Sequence, residues 1–269
     1  MKHYIPKLKL ETGRIDLWFS FSDEINDPGL LSAYENYLSI SEKQKMQRFH
    51  FHKHRHQFLI TRALVRTTLS RYFDINPELW RFSNNEYEKP EVVFTGRMPP
   101  IRFNISHTDG LVACAVALEE DIGVDVEDTT KQNISVDIAD KYFSLQEASD
   151  LYSVPEAERK QRFFTYWTLK ESFVKAVGKG LSIPLDEFSF HLKEEDQPIR
   201  ISFSGNQSHQ PNNWQFWIIK PSQHHTSAIT IHKKKDVNFR LSVKKVVPLI
   251  GELPLNYRII KQSFPILCY

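Results

Sequence analysis

Residues 123–128 read GVDVED, and two of its acids, Asp125 and Glu127, stand on either side of Val126. On a strand, side chains alternate between faces. Val124 and Val126 then point into a core, and Asp125 and Glu127 point together to the other side. Two carboxylates so close repel, and one tends to take up a proton unless a cation lies between them. A hard divalent ion such as Mg²⁺ accepts that donor set, commonly one or two carboxylates plus substrate phosphates. A D-x-E triplet on its own is more often a solvated strand face, so the chemistry depends on what else converges there.

A second chemical segment is WTLKESFVKAVGKG, residues 167–180. As a helix it puts Glu171 and Lys175 four apart on one face, with Trp167 one turn earlier. A surface ion pair of this kind contributes only about 0.3–0.5 kcal/mol. Here Phe173, Val174 and Val177 are apolar, so the helix packs on a sheet and can hold Glu171 and Lys175 at a cleft edge. A third segment, FNISHT, carries Ser106 and His107. Neighbours on a strand face opposite ways, which rules out a serine–histidine pair within it. No G-x-S-x-G elbow is present. His107 reads either as an exposed side chain or as a phosphate or nucleotide contact.

These segments need elements to hold them. IDLWFSF (15–21) alternates as a strand, and Ser39 or Ser41 can cap a short helix. Lys53 to Phe73 carries a helical apolar stripe at Phe58, Leu59, Ala63, Leu64 and Leu69, with Arg55, Arg62, Arg66 and Arg71 mostly on other faces. Residues 103–118 read as two strands about the Asp109-Gly110 turn. DIGVDVED is a strand, and 137–177 is helical, ending at Gly178 and Gly180. FSFHL, IRISF, WQFWIIK and HTSAITIH read as antiparallel strands. The same order, a helix followed by strands, occurs twice. The fold class is therefore α+β in two similar lobes: 1–118, 119–232 and a tail, 233–269, that the pattern does not place.

Composition bounds the function. The chain has 269 residues, 41% hydrophobic and 25% charged, with nineteen Phe and a net charge of only +2. That fits a soluble globular protein and lacks the strong basic excess of most nucleic-acid binders. Two cysteines without ligand spacing, an N-terminus unlike a signal peptide, and no apolar run long enough for a bilayer suggest a cytoplasmic protein.

Taken together, GVDVED, FNISHT and WTLKESFVKAVGKGLS resemble the Sfp-type 4'-phosphopantetheinyl transferases. That family carries G-[IV]-D-[IV]-E, N-x-S-H-[ST] and W-x-x-K-E-[AS]-x-x-K-x-x-G-x-G. The resemblance spans about residues 35–190, with NEYEKP (85–90) matching a further E-x-G-K-P segment. It implies two α+β lobes related by a pseudo-twofold axis with the site between them. It further implies coenzyme A as substrate and an apo acyl or peptidyl carrier protein whose serine receives the phosphopantetheine arm. Adenosine 3',5'-bisphosphate would leave.

By that resemblance Asp125, Glu127 and Glu171 hold Mg²⁺. Glu171, Glu127 or a metal-bound water takes the serine proton. Lys175 contacts the phosphates and could protonate the leaving group. Ser106 and His107 meet the nucleotide end, and Lys89 and Pro90 line its pocket. Arg48, Lys53, Arg55 and Arg62 are candidates for the 3'-phosphate. The resemblance also implies a monomer, and apolar residues within 134–143 dock the carrier. On that expectation Phe143→Ala weakens carrier binding more than coenzyme A binding.

Two departures stand out: Glu88 replaces the family's usual Gly, and the tail has no clear counterpart. Histidines 50, 52, 54 and 56 lack a supporting cysteine or acid and do not argue for zinc. The rival reading is a non-catalytic polyanion or nucleic-acid module built on the basic stripe 48–71, with Phe49 and Phe51 for stacking. It leaves GVDVED unexplained. Another Mg²⁺-dependent phosphotransferase would share the acids, but there is no Walker-type G-x-x-x-x-G-K-[ST].

Overall fold

A computed structural model describes residues 7–93, 98–132, 135–192, 197–204, 209–234 and 237–263. β1 (Arg14–Phe21) is buried along almost its whole length, because both its faces are covered. Asp27 caps α1 (Pro28–Glu35), its side chain accepting from the Leu30 amide at 2.7 Å. Of the two serines expected to cap α2 (Ile40–Gln47), Ser39 does so, in a reciprocal pair with Glu42 that satisfies two end amides at once. α3 (His52–Leu69) buries Phe58, Leu59, Ala63, Leu64 and Leu69 as the stripe required. Arg66 departs from expectation and is buried too, for a reason given below.

The short pair β2 (Phe82–Asn84) and β3 (Pro90–Val92) brackets the NEYEKP loop. β4 (Ile101–Thr108) and β5 (Leu111–Leu118) form the hairpin about Asp109-Gly110, where Gly110 takes φ 76°. β6 (Ile122–Asp128) is the GVDVED strand. Three helices follow: α4 (Ala139–Tyr142), α5 (Leu145–Ser153) and the long α6 (Glu156–Val177). α6 stops at Gly178, which adopts the left-handed φ 76° that a side chain would oppose.

The remaining strands belong to separate sheets. β7 (Phe188–His191) and β8 (Arg200–Phe203) pair only with each other. β9 (Trp214–Lys220) and β10 (His225–His232) join β6. The tail, unplaced by sequence, supplies β11 (Arg240–Val247), β12 (Gly251–Pro254) and β13 (Arg258–Gln262). One sheet runs β12-β11-β1-β5-β4 and the other β13-β9-β10-β6. The tail thus completes both: β11 lies parallel to β1, and β13 lies antiparallel to β9.

Three cores hold these layers. α3 covers one face of the first sheet over Trp18, Phe103, Val112 and Cys114. α6 covers the second sheet over Phe216, Ile218 and Ala228. The facing sides of the two sheets share Ile15, Leu17, Phe19, Ala113, Val124, Val126 and Ile229. Val124 and Val126 therefore point between the sheets, and Asp125 and Glu127 point toward α6.

Candidate active site

The site begins where the edges of the two sheets meet. An edge strand leaves amides unpaired and must satisfy them elsewhere. β4 does this for β6 with side chains on every second residue. Asn104 Oδ1 accepts from the Val124 amide at 2.9 Å, Ser106 Oγ from Val126 at 3.3 Å, and Thr108 Oγ1 from Asp128 at 3.2 Å. The N-x-S-x-T spacing of FNISHT is the spacing of that seam. It fixes β6, and with it the acids, against the first sheet.

α6 then crosses β6 at very short range. A Cβ at Gly123 would lie 1.9 Å from the Ser172 carbonyl oxygen and 2.5 Å from the Ala176 nitrogen, so only glycine fits. The close approach brings Glu171 and Lys175 beside Asp125. Lys175 Nζ donates to Asp125 Oδ1 at 2.7 Å and to Ser106 Oγ at 3.0 Å. Ser106 in turn donates to Asp125 Oδ1 at 2.9 Å. The other oxygen, Asp125 Oδ2, is buried without a hydrogen-bond partner. Glu127 accepts from Lys131 Nζ at 2.7 Å.

The electrostatics follow from that crowding. The Glu171 carboxyl is pushed above the usual carboxylate range, first by burial and next by the charge of Asp125. Burial likewise raises Glu127, with Lys131 opposing and Asp125 reinforcing. His107, on the opposite side of β4 from Ser106, is lowered first by desolvation and then by Lys175.

All three acids offer carboxylate oxygens, the donors a hard divalent cation takes, and Asp125 Oδ2 is an orphaned one. The residues therefore fit Mg²⁺ in kind. As the side chains stand, with lysines on Asp125 and Glu127, no three His, Cys, Asp or Glu among the described residues are grouped closely enough to hold a metal.

A cavity of about 270 Å³ opens beside the acids, lined by Tyr87, Lys89, Pro90, Asn104, Glu171 and Lys175. The stem of Lys89 walls it, while its ammonium donates to the Ala176 and Ile122 carbonyls at 3.2 and 3.3 Å. Pro90 also borders a second, polar cavity of about 420 Å³ that holds Lys45, Arg62, Arg66 and Arg81. Of these only Arg62 was singled out by sequence. Lys45 and Arg81 were missed, since nothing local marks a lysine in α2 or an arginine after Trp80 as neighbours of the NEYEKP loop.

The expected basic residues are not equivalent. Arg48 and Arg55 are exposed. Lys53 pairs with Asp109 at 2.7 Å, and Arg62 sits 3.5 Å from Glu42. Arg66 is buried because it joins Glu42 to the Pro77 and Trp80 carbonyls. Arg71 meets Glu252 of the tail. The stripe 48–71 is therefore partly internal and charge-paired, not a continuous cationic face for a polyanion. The docking expectation for 134–143 is corrected as well. Ile134 lies outside the described residues. Phe143 is only 4% exposed and stacks on Phe163 inside the α6 core, so it is no docking residue. Ile138 of that stretch is exposed.

An α+β protein with two helix-covered sheets, and an acidic cleft where their edges meet, is the class these features define. Comparison with known proteins specifies it further. Residues 29–119 match the family model "4'-phosphopantetheinyl transferase, N-terminal", and residues 121–231 match "4'-phosphopantetheinyl transferase superfamily". The chain is 37% identical over 178 residues to "4'-phosphopantetheinyl transferase Sfp" of Bacillus subtilis (strain 168), covering 66% of this chain and 75% of that one. It is 38% identical over 176 residues to "4'-phosphopantetheinyl transferase ffp" of Bacillus subtilis, covering 65% and 75%. To "4'-phosphopantetheinyl transferase HetI" of Nostoc sp. it is 30% identical over 187 residues, covering 70% and 78%. The chain belongs to the 4'-phosphopantetheinyl transferase superfamily. No helix among the described residues is long and apolar enough to cross a membrane.

Proposed function

We propose that this chain is a Mg²⁺-dependent transferase that moves the phosphopantetheine arm of coenzyme A onto a serine hydroxyl of an apo carrier protein. The observation that carries the reading is the close crossing of α6 over β6 at Gly123, which sets Glu171 and Lys175 beside Asp125, with Asp125 Oδ2 buried and unpaired. Asp125, Glu127 and Glu171 would hold the metal, which would neutralise pyrophosphate charge as phosphorus is attacked.

The protein's own groups do the rest. A serine oxygen–phosphorus bond forms, and the bond from that phosphorus to the adenosine bisphosphate oxygen breaks. The serine proton goes to the carboxylate of Glu171, which lines the cavity and which burial and the charge of Asp125 make more basic than an ordinary carboxylate. Glu127, raised as well, borders the same pocket of charge through Asp125. Lys175 turns its ammonium to the departing phosphate and stabilises the charge that develops there. His107, exposed on β4, meets the nucleotide end, with Lys89 and Pro90 as wall, while Ser106, buried on the other side of the strand, holds Asp125 and Lys175 in place. The 3'-phosphate is met by cations among Arg48, Lys53, Arg55 and Arg62, to which Lys45 and Arg81 of the adjoining cavity are added. Ile138, exposed at the start of the helical segment after β6, contacts the carrier.

Intact-protein mass spectrometry tests this with the enzyme, Mg²⁺, coenzyme A and a panel of apo carriers. One carrier should gain a single phosphopantetheine on serine, and Glu127→Ala should be inert. No mass gain on any carrier, together with no coenzyme A binding, would sink the reading.

A further inference from the structure

The NEYEKP loop is closed on itself. Asn85 N donates to the Lys89 carbonyl at 2.9 Å, and Asn85 Oδ1 accepts from the Tyr87 and Lys89 amides at 2.9 and 3.0 Å. Two side-chain groups then reach out of it. Asn85 Nδ2 donates to the Gly178 carbonyl at 2.9 Å. Lys89 Nζ donates to the Ala176 carbonyl at 3.2 Å and the Ile122 carbonyl at 3.3 Å. The first and second of these carbonyls end α6, where acceptors lack helical partners and the helix dipole favours a cation. The third opens β6, two residues before the first acid's neighbour Val124. The fit is close, since a Cβ at Gly178 would lie 3.2 Å from Lys89 Cδ. Desolvation lowers the Lys89 pKa, consistent with an ammonium turned inward.

We infer that Asn85 and Lys89 are positioning residues that act as one clamp. It ties the C-terminus of α6, which carries Glu171 and Lys175, to the start of β6, which carries Asp125 and Glu127. Gly123 lets the helix lie directly on the strand over the single turn from Ser172 to Ala176, and a contact that short leaves the end of the helix to be fixed against rolling by other bonds. Glu171 lies five residues, about 7.5 Å of helix, from Ala176, so a small roll at the end displaces its carboxylate. Hydrogen bonds to the last carbonyls oppose that roll. The same loop walls the cleft, so the clamp sets the acids and the cavity together. The catalytic consequence rests on the transferase reading above; the clamp itself rests on geometry alone.

The experiment uses the full chain with Lys89→Met, which keeps the stem and removes the ammonium, Asn85→Leu, and the double variant. Three things are measured: amide hydrogen exchange, coenzyme A affinity by calorimetry, and kcat and KM for transfer to a carrier. Exchange at residues 174–180 should speed about tenfold in either single variant. Turnover should fall about tenfold in each, the size usual when groups that orient site ligands are lost. The coenzyme A Kd should move by a similar factor, about threefold or less, in the two single variants, since both loosen the same loop. The double variant should be no worse than the worse single one, because both break one unit. Lys89→Arg, which retains a cation at the helix end, should recover part of the turnover.

Unchanged exchange at the end of α6 would overturn the clamp. So would a coenzyme A Kd raised about tenfold by Lys89→Met but not by Asn85→Leu, since Lys89 would then be a phosphate contact. Should Lys89→Met not fold, Asn85→Leu at its half-buried position still carries the exchange test. Absence of both transfer and coenzyme A binding in the unaltered protein would end the transferase reading while leaving the exchange result to decide the clamp.

Discussion

Gly123→Ala inserts one methyl group where β6 and α6 touch. The new Cβ would lie 1.9 Å from the Ser172 carbonyl oxygen, and an ordinary contact begins near 3.4 Å. Helix and strand must separate by the difference, about 1.5 Å. α6 does not retreat easily. The Ser172 hydroxyl is bonded to Thr230 of β10 at 2.7 Å, and Lys170, fully buried, is bonded to Glu147 and to the Leu185 and Phe188 carbonyls. Overpacking a held interface costs about 1–3 kcal/mol, and here the upper end applies. In a chain of this size that lowers Tm by roughly 5–10 °C. Displacing catalytic groups by 1 Å or more costs on the order of 10²-fold in rate, so kcat should fall by about that factor. Thermal denaturation and a carrier-loading time course measure both. Gly251→Ala is the control, since a Cβ there meets nothing within 4 Å. A Gly123→Ala protein with Tm within about 2 °C of the parent and kcat within about twofold would refute the close-approach argument.

Other outcomes follow from the same structure. Glu88 holds φ 65° where the family segment usually has glycine, so Glu88→Gly should raise stability by about 1 kcal/mol in a thermal melt. Glu171 is raised in the fold, so its protonated form favours folding. That contribution is full below the ordinary carboxylate value of 4.5 and is lost as pH rises through the raised one. Without metal, Glu171→Gln should therefore raise Tm at neutral pH and change it little near pH 4. Phe143→Ala should cost about 3–5 kcal/mol in chemical denaturation, because it empties a core site packed on Phe163 and Tyr166. Ile138→Glu, at an exposed position, should leave stability unchanged and raise the KM for carrier but not for coenzyme A.

What the sequence revealed was what depends on near neighbours. The β6 alternation, the Ser39 cap, the Asp109-Gly110 turn and the shared face of Glu171 and Lys175 each follow from a few adjacent residues. What it concealed depends on distant ones. β11 pairs Arg14 with Arg240 across most of the chain, and RLSVKKVV has no clean alternation to announce a strand. Arg66 looks like a solvated cation until Glu42, 24 residues away, folds under it. Phe143 looks available for docking because its partners, Phe163 and Tyr166, come from a later helix. Lys89 looked like a wall of the pocket, and its stem is one. Its ammonium answers to carbonyls 33 and 87 residues further on.

The FNISHT segment shows why a motif can be recognised correctly while its physical role is only half legible. Ser106 was singled out for a nucleotide, yet its hydroxyl is buried and already serves three groups: the Val126 amide, the Asp125 carboxylate and the Lys175 ammonium. Asn104 and Thr108 do the same seam work at either side. A strand edge could have been closed by backbone pairing, which would be indifferent to side chains. Closing it with side-chain oxygens makes the position of Asp125 depend on residue type at 104, 106 and 108. One oxygen of Asp125 is thereby held by the protein, and the other stays buried without a partner. An arrangement that satisfies one oxygen and leaves its twin orphaned costs stability. A cation shared with Glu127 and Glu171, as proposed above, would give that oxygen its partner.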